Sequence, residues 1–146
     1  MPSSDSLHLE TSLHAFDRAQ WNALAGDQPF VRHEFLSLLH DTGCATPDTG
    51  WTPYFLALRR GDALAGAVPL YLKTPSRGEY VFDYAWADAY ARHGLPYYPT
   101  LLSAVPFTPV TSARLLARGN DHRPLLARGL IELARQLDLS SLHLLF

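Results

Sequence analysis

Two apolar runs rich in β-forming residues, joined by one tight turn, constrain the fold of this 146-residue chain more than any other feature. The runs are Trp51–Arg59 and Ala63–Lys73, and Arg60-Gly61-Asp62 lies between them. Two such runs joined by a short glycine-containing turn are typical of a β-hairpin. Because Pro69 has no backbone N–H, the second strand needs a free edge or a bulge there. We therefore expect a sheet built on this hairpin.

A strand, a helix and a second strand are predicted after the hairpin. The helix Arg123–Leu137 follows the strand Ser112–Ala117 and precedes the strand Ser141–Phe146. Its leucines recur with the period of a helix that packs on a sheet; they are Leu126, Leu130, Leu133 and Leu137. Such a unit is expected to be a right-handed βαβ crossover with parallel strands. The predicted fold class is therefore α/β, with a mixed, mainly antiparallel sheet flanked by helices.

The N-terminal part is predicted to contain one strand and two helices. The strand spans Leu7–Phe16, and Asp17 then caps a short helix with Gln20 as its capping-box partner. Gly26 ends that helix, and a second one spans Arg32–His40.

Three short elements are predicted between the hairpin and the strand–helix–strand unit. Glu79–Asp83 is interpreted as a third strand, because it is short and rich in aromatic and β-branched residues. Asp88–Arg92 and Pro96–Val105 are interpreted as short helical pieces. In the second piece the apolar residues are spaced for one helical face.

Charge and motif content exclude several classes of function. A net charge of −2 argues against a nucleic-acid surface, which needs a basic face. The seven histidines have no metal-ligand spacing, so no metal site is predicted. Cys44 is the single cysteine and cannot form an internal disulfide, and glycine-rich phosphate loops are absent. Without a membrane-length apolar run or a signal peptide, the sequence predicts a cytoplasmic protein with no membrane span.

A dense aromatic block is the strongest sign of a binding function. Nine of the seventeen aromatic residues lie between positions 71 and 107. They are Tyr71, Tyr80, Phe82, Tyr84, Trp86, Tyr90, Tyr97, Tyr98 and Phe107. Tyr and Trp combine a large apolar area with a polar tip, which suits a surface that grips a ligand. The alternative interpretation is an irregular loop packed down by its own rings.

Charged side chains interleave with these rings. Asp83, Asp88, Arg92 and His93 are candidates for acid–base work, for which the neighbouring rings could supply the burial. Asp88 and Arg92 are also spaced for a simple surface pair on a helix. Two further cations, at positions 73 and 77, would bind a phosphate or carboxylate or would merely solvate the end of the hairpin. The residues alone leave these alternatives open.

Three motifs in this region resemble those of a bacterial family of FemAB-like predicted N-acyltransferases, the peptidoglycan biosynthesis/recognition proteins. The motifs are GAVPLYLK, GEYVFDYAWADAY and LLSAVPFTPVT, and the resemblance covers Phe30–Phe146. The order of elements also resembles the front of the GNAT-type acyl-CoA N-acyltransferase fold, to which the N-acetyltransferases belong. Family members have two GNAT-like halves, so residues 1–146 are interpreted as a single N-terminal half and the fold as incomplete. The apolar end of the chain, SLHLLF, fits that interpretation.

The resemblance implies a transferase that moves an acyl or aminoacyl group to an amine. The donor would be acyl-CoA or an aminoacyl-tRNA, which is the one way in which nucleic acid would be a partner. The acceptor would be a small molecule or a cell-wall precursor with an amine, recognised by this half. The turn Arg118–Arg123 has one glycine and an aspartate where acetyltransferases hold the pyrophosphate, so acyl-CoA is expected in the second half.

The resemblance also allocates roles to the polar and aromatic residues. The groove would be lined by aromatic and charged side chains, namely Tyr84, Trp86, Asp88, Tyr90, Arg92 and His93, with Lys73 and Arg77 near an anionic part of the ligand. His93 and Asp88 would be catalytic, because amine transfer needs a neutral nitrogen and histidine is a base near neutral pH. The rival hypothesis is a non-catalytic cell-wall or glycan recognition module, since aromatic faces also stack on sugars.

We also expect this chain in isolation to be marginally stable or to self-associate. Its low charge and apolar last strand should leave a sheet edge and an apolar face exposed. Light scattering checks this prediction, and a monodisperse monomer that unfolds cooperatively at ordinary temperatures would contradict it.

Overall fold

The computed structural model describes residues 4–75 and 77–146, so Met1–Ser3 and Ser76 lie outside the description. Eight strands and four α-helices occur in these ranges. They are β1 (Asp5–Glu10), α1 (Arg18–Ala25), α2 (His33–Asp41), β2 (Trp51–Pro53), β3 (Phe55–Arg60), β4 (Ala63–Val68), β5 (Tyr71–Lys73), α3 (Tyr84–Arg92), β6 (Thr100–Ser103), β7 (Leu116–Ala117), α4 (His122–Gln136) and β8 (Leu142–Leu144).

The predicted hairpin is confirmed, and it contributes two strands to each of the two sheets. Strands β2 and β3 make one arm and β4 and β5 the other, paired from Arg60↔Ala63 at the turn to Trp51↔Lys73 at the far end. Between β2 and β3 on one arm and β4 and β5 on the other, the Tyr54 amide donates to the Leu70 carbonyl at 2.9 Å. The two arms therefore stay hydrogen-bonded across this interruption. Pro69 lies in that interruption, as its missing N–H requires.

The hairpin carries two four-stranded, mostly antiparallel sheets, in the order β1-β3-β4-β7 and β2-β5-β6-β8. This confirms a mixed, mainly antiparallel α/β fold, although a single sheet was expected. The predicted βαβ unit, with Ser112–Ala117 and Ser141–Phe146 as parallel strands of one sheet, is wrong: β8 is parallel to β6, whereas β7 pairs antiparallel with β4 in the other sheet. The helical piece predicted at Pro96–Val105 is wrong, because strand β6 lies within it. Its apolar side chains are buried on both faces of a strand, a pattern that resembles a helix face over so few residues.

Helix α4 packs on the sheets as its leucines predict. Leu126, Leu130 and Leu133 are buried in one cluster with side chains of β3, β4 and β6. The last leucine of the predicted stripe, Leu137, does not join this cluster, because it is the C-cap of the helix and is 37% exposed. Gly66 on β4 lies under this helix, where a Cβ would meet the Leu126 side chain at 3.0 Å.

The N-terminal elements show one confirmed cap and two corrections. Asp17 caps α1 by accepting from the Gln20 amide at 2.8 Å. The Gln20 side chain does not complete a capping box, because it accepts from the Leu64 amide at 2.7 Å and so ties α1 to β4. Strand β1 ends at Glu10, where the prediction extended to Phe16, and a short 3-10 turn follows at Leu13–Ala15.

The segment Glu79–Asp83, predicted as a strand, is irregular. Gly78 and Tyr80 have φ values of 85° and 61°, and such left-handed residues interrupt an extended ladder. The helix expected at Asp88–Arg92 is present but begins earlier, at Tyr84. Most of the aromatic block thus lies in the long connection between β5 and β6, which contains one α-helix.

His40 should make the stability of the fold sensitive to acid. Its Nε2 lies 2.8 Å from the Tyr71 hydroxyl, and burial lowers its pKa from 6.5 to about 4. The unfolded chain therefore binds a proton between these values that the folded chain does not. Stability present above pH 6.5 is lost as the pH falls toward 4. We expect a loss of about 2 kcal/mol between pH 7 and pH 5.

Urea unfolding at pH 7 and pH 5 checks this prediction. His40→Gln keeps a side-chain amide that can bond to Tyr71 and does not titrate, so it should remove most of the pH dependence. An equal loss in the variant and the wild type would assign the effect to other groups.

Candidate functional site

A cleft of about 230 Å³ lies beside the exposed helix α3. Three aromatic rings and three polar side chains line it, namely Trp86, Tyr90, Tyr97, Ser140, Ser141 and His143. Trp86 and Tyr90 come from one face of α3, since residues at i and i+4 lie one turn apart. The cleft therefore forms where the aromatic helix meets the loop that leads into β8.

The sheet register determines which way His143 faces. His143 pairs with Leu102, which in turn pairs with Tyr71, so these three side chains share one face. Their neighbours Leu101 and Leu142 take the opposite face and belong to the cluster around α4. His143 therefore points away from α4, toward the irregular segment that precedes α3.

Asp83 is the hub of the polar network behind the cleft. The Tyr97 hydroxyl donates to its Oδ2 at 2.6 Å, and the Tyr98 hydroxyl donates to its Oδ1 at 3.0 Å. Nε2 of His143 lies 3.9 Å from Oδ2 of Asp83 and 2.9 Å from the Ser141 hydroxyl. The Asp83 side chain is only 14% exposed, so a carboxylate is held just behind the ring of Tyr97.

Tyr97 stays protonated in this environment. Burial, reinforced by the hydrogen bond to Asp83, raises the pKa of Tyr97 to about 12. A phenolate would face the Asp83 carboxylate at close range, which explains the direction of the shift. Tyr97 is therefore a fixed hydrogen-bond donor near neutral pH and holds the carboxylate in place.

A buried ion pair lies deeper in the same region. Lys73 is 0% exposed, and its ammonium lies 3.5 Å from Oε2 of Glu79 and 4.9 Å from the centre of the Trp51 ring. It also donates to the Pro75 carbonyl. Burial lowers the pKa of Lys73, and the carboxylates of Glu79 and Asp83 oppose that shift. This pair fastens the irregular segment to the end of β5.

A small cavity joins the ion pair to the Asp83 network. It measures about 20 Å³, and Glu79, Asp83, Thr100 and His143 are among its lining residues. That volume suits a single water molecule among polar partners. The polar groups therefore form a continuous layer beneath the cleft.

Of the sequence-predicted aromatic residues, Trp86 and Tyr90 line the cleft and Tyr84 does not. The Tyr84 ring stacks on Phe82, with centroids 5.6 Å apart and planes 14° apart. Both rings are exposed on the outer side of the block. The sequence therefore identified two of the three rings in the cleft.

The predicted catalytic pair lies outside the cleft lining. Asp88 is exposed on α3, and His93, its C-cap, donates from Nδ1 to the Ala89 carbonyl at 2.7 Å. Arg92 is exposed at the end of the same helix, and among the ion pairs of the described residues there is none between Asp88 and Arg92. The structure does not bring Asp88 and His93 together, and their catalytic roles stay predictions.

The two predicted anion-binding cations take different positions. Lys73 is enclosed by protein groups, so contact with a ligand requires the segment that covers it to move. Arg77 is exposed and lies close enough to add its repulsion to the pKa shift of Lys73. Their ligand-binding roles also stay predictions.

Sequence reasoning missed most of the polar part of the site. Tyr97 and Tyr98 belong to the predicted aromatic block but not to the predicted groove, Ser141 and His143 belong to neither, and Asp83 is one of the polar candidates. The available signal was the Tyr97-Tyr98 pair, which Pro99 alone separates from the buried run 100–106. It was not recognised because that run was assigned to a helix.

The turn before α4 brings an acidic side chain to the start of that helix. Asp121 occupies the N-cap position without a side-chain capping bond, so its carboxylate lies at the positive end of the helix. Asn120 accepts from Arg123 at 2.9 Å, which engages a cation that would otherwise be available to a phosphate.

Residues 4–75 and 77–146 contain no group of three or more His, Cys, Asp or Glu side chains placed to hold a metal ion. Nor does any helix within those ranges have the length and apolarity needed to cross a membrane.

Fold and site together define a mixed α/β protein with an aromatic-walled cleft over a polar network. A family model described as FemAB-like, peptidoglycan biosynthesis/recognition, matches residues 12–146, so the chain belongs to the FemAB-like family. No curated protein and no solved structure matches the chain significantly. The antiparallel strands followed by strand, helix and strand are compatible with the front of a GNAT fold.

Proposed function

We propose that this chain is the acceptor-recognition part of an N-acyltransferase of peptidoglycan biosynthesis. The observation that carries the proposal is the cleft itself, in which three rings and three polar side chains lie over the Asp83 network. The rings offer contact area to the apolar parts of an acceptor, and the hydroxyl and imidazole groups offer hydrogen bonds. The acceptor in this proposal is a cell-wall precursor or small molecule that carries an amine.

The proposal places the acyl donor outside this chain. The carboxylate at the start of α4 argues against a pyrophosphate there. The donor in this proposal is an acyl thioester or an aminoacyl-tRNA, held by the second GNAT-like half that the family resemblance implies. The proposed compartment is the cytoplasm, where both kinds of donor occur.

A second candidate function is glycan recognition without catalysis. The Trp86 ring is 67% exposed on the rim of the cleft, and a flat exposed ring is suited to stacking on a sugar. The family description, which names biosynthesis and recognition together, supports either function.

Thiol release by the full-length protein separates the two functions. Acyl-CoA is supplied with an amine-bearing cell-wall precursor, and the free thiol is measured over time. We expect release that depends on the amine, and a roughly tenfold lower kcat/KM for Trp86→Ala through lost acceptor contacts. Leu38→Ala, which also truncates an exposed apolar side chain but on α2, is the matched control. Retention of the precursor without thiol release would favour the recognition module.

The catalytic hypothesis for Asp88 and His93 has its own test in the same assay. If His93 deprotonates the amine and Asp88 supports it, His93→Gln and Asp88→Asn should each lower turnover at least tenfold, or about 1.4 kcal/mol. A smaller change in both variants would contradict the hypothesis and leave His93 with its observed contact to the Ala89 carbonyl.

A further inference from the structure

We propose that the cleft binds its ligand through an ammonium group, which contacts the rings of Trp86 and Tyr90 and is attracted by the Asp83 carboxylate bonded to Tyr97. This inference rests on the proposed function, because it specifies the charged form in which an amine acceptor is first held. It concerns binding and requires no acyl donor.

The arrangement of the rings suits a compact cation better than a flat sugar. The Tyr90 and Tyr97 rings meet edge to face, with centroids 5.3 Å apart and planes 71° apart. Tyr97 is only 7% exposed, so most of the accessible ring surface comes from the half-buried Tyr90 and from Trp86, one helical turn away and 67% exposed. Ring faces attract an ammonium group through their quadrupoles, and angled rings allow several faces to contact one cation.

The charges around the cleft have the sign that this ligand needs. None of the six residues that line it is Lys or Arg. Asp83 does not line the cleft itself, but its carboxylate accepts from the hydroxyl of the lining residue Tyr97 at 2.6 Å. Asp138 lines an adjoining cleft of about 180 Å³ that shares Tyr90 and Ser140. Arg135 lines another neighbouring groove, so a positive group is present beyond the two serines.

A hydrogen-bond acceptor is also in place at the rear wall. An ammonium group has three N–H donors, which need oxygen or nitrogen acceptors. The Ser141 hydroxyl and Nε2 of His143 lie 2.9 Å apart and both line the cleft. Nε2 carries one lone pair or one proton, which the bond to Ser141 uses, so the Ser141 hydroxyl oxygen is the acceptor that faces the ammonium group.

Ligand titrations of the full-length protein test the inference. The probes are n-pentylammonium and 1-pentanol, which have similar shapes and differ in charge. We expect the ammonium probe to bind about tenfold more tightly at low salt, within the range of cation–π and charge contributions. Chemical-shift changes at the Trp86 indole N–H report the binding.

Two variants test the groups responsible. Asp83→Asn should lower the affinity for pentylammonium about fivefold and leave that for pentanol unchanged. Asp62→Asn removes an equivalent charge from the hairpin turn and is the matched control. Because Asp83 supports two tyrosines, Asp83→Asn could disturb the fold, so Tyr90→Leu on the half-buried wall provides a second variant with the same expected loss.

The outcomes distinguish this inference from the proposed function. Equal affinity for the two probes, or unchanged ammonium affinity in both variants, would overturn the inference. Selective ammonium binding without thiol release in the transfer assay would uphold it and contradict the acyltransferase. Thiol release with no preference for the ammonium probe would support the acyltransferase and contradict the inference about the ammonium group.

Discussion

Replacement of Glu79 by alanine is expected to lower the free energy of unfolding by about 3 kcal/mol, because it leaves a buried ammonium group without its carboxylate. Lys73 is fully buried and Glu79 is 7% exposed, with 3.5 Å between Nζ and Oε2. The Pro75 carbonyl and the Trp51 ring still contact the ammonium in the variant. The expected loss of unfolding free energy is therefore at the lower end of the range for breaking a buried ion pair.

The double variant Lys73→Met, Glu79→Leu is the control for this prediction. It removes both charges and keeps apolar volume, so it should recover most of the lost stability. Denaturant unfolding of the wild type, the Glu79 variant and the double variant measures the difference. A Glu79→Ala protein within 1 kcal/mol of the wild type would show that the pair contributes no more than a surface one.

The same substitution should also affect ligand binding. Glu79 and Asp83 belong to one irregular segment, and both line the small cavity beneath the cleft. If the Lys73–Glu79 pair holds that segment in place, Glu79→Ala should weaken pentylammonium binding even under conditions where the variant remains folded. The ion pair thereby connects the end of the hairpin to the binding cleft.

The elements that were predicted correctly are those whose sequence pattern lies within the element itself. The hairpin has β-rich arms and a glycine turn, and α4 has a leucine stripe longer than three turns. Asp17 capped its helix as predicted because the cap depends on residues three positions apart. In these cases the interactions that determine the structure are close in sequence.

The misassigned elements depend on distant partners. Strand β6 is extended because it lies between β5 and β8, and nothing within its four residues excludes a helix. Segment 79–83 is irregular because Lys73 and the two tyrosines at 97 and 98 bind its carboxylates. Side-chain pairs across such separations have no periodic signature in one sequence.

The candidate site was half predictable for the same reason. Trp86 and Tyr90 were selected because one short segment concentrates aromatic residues. Asp83, Tyr97 and His143 come together from three parts of the chain, and the register of a strand that was assigned incorrectly aligns them. Composition could therefore locate the aromatic wall of the cleft but not the polar wall.

Gly50→Ala is expected to be the most destabilising single substitution proposed for this chain, at about 4 kcal/mol. Gly50 has φ of 85°, and a Cβ built there would lie 1.9 Å from the Thr74 carbonyl oxygen. The obstacle is backbone, so no side-chain rotation can relieve it. The Thr74 amide donates to the Gly50 carbonyl at 3.1 Å, and the overlap must separate the two chain segments that this bond joins.

Gly43→Ala is the matched control, because Gly43 has a similar φ of 80° but no neighbouring heavy atom within 4 Å of the added Cβ. Its cost is expected to be about 1 kcal/mol, the backbone strain alone. The difference between the two variants in urea unfolding then measures the contact between Gly50 and Thr74. Since Thr74 directly follows Lys73, separating these segments exposes the buried ammonium, and the Gly50 variant should lose ligand binding along with stability. Equal losses of unfolding free energy in the two variants would show that the end of the hairpin accommodates the added methyl group without disturbing the site.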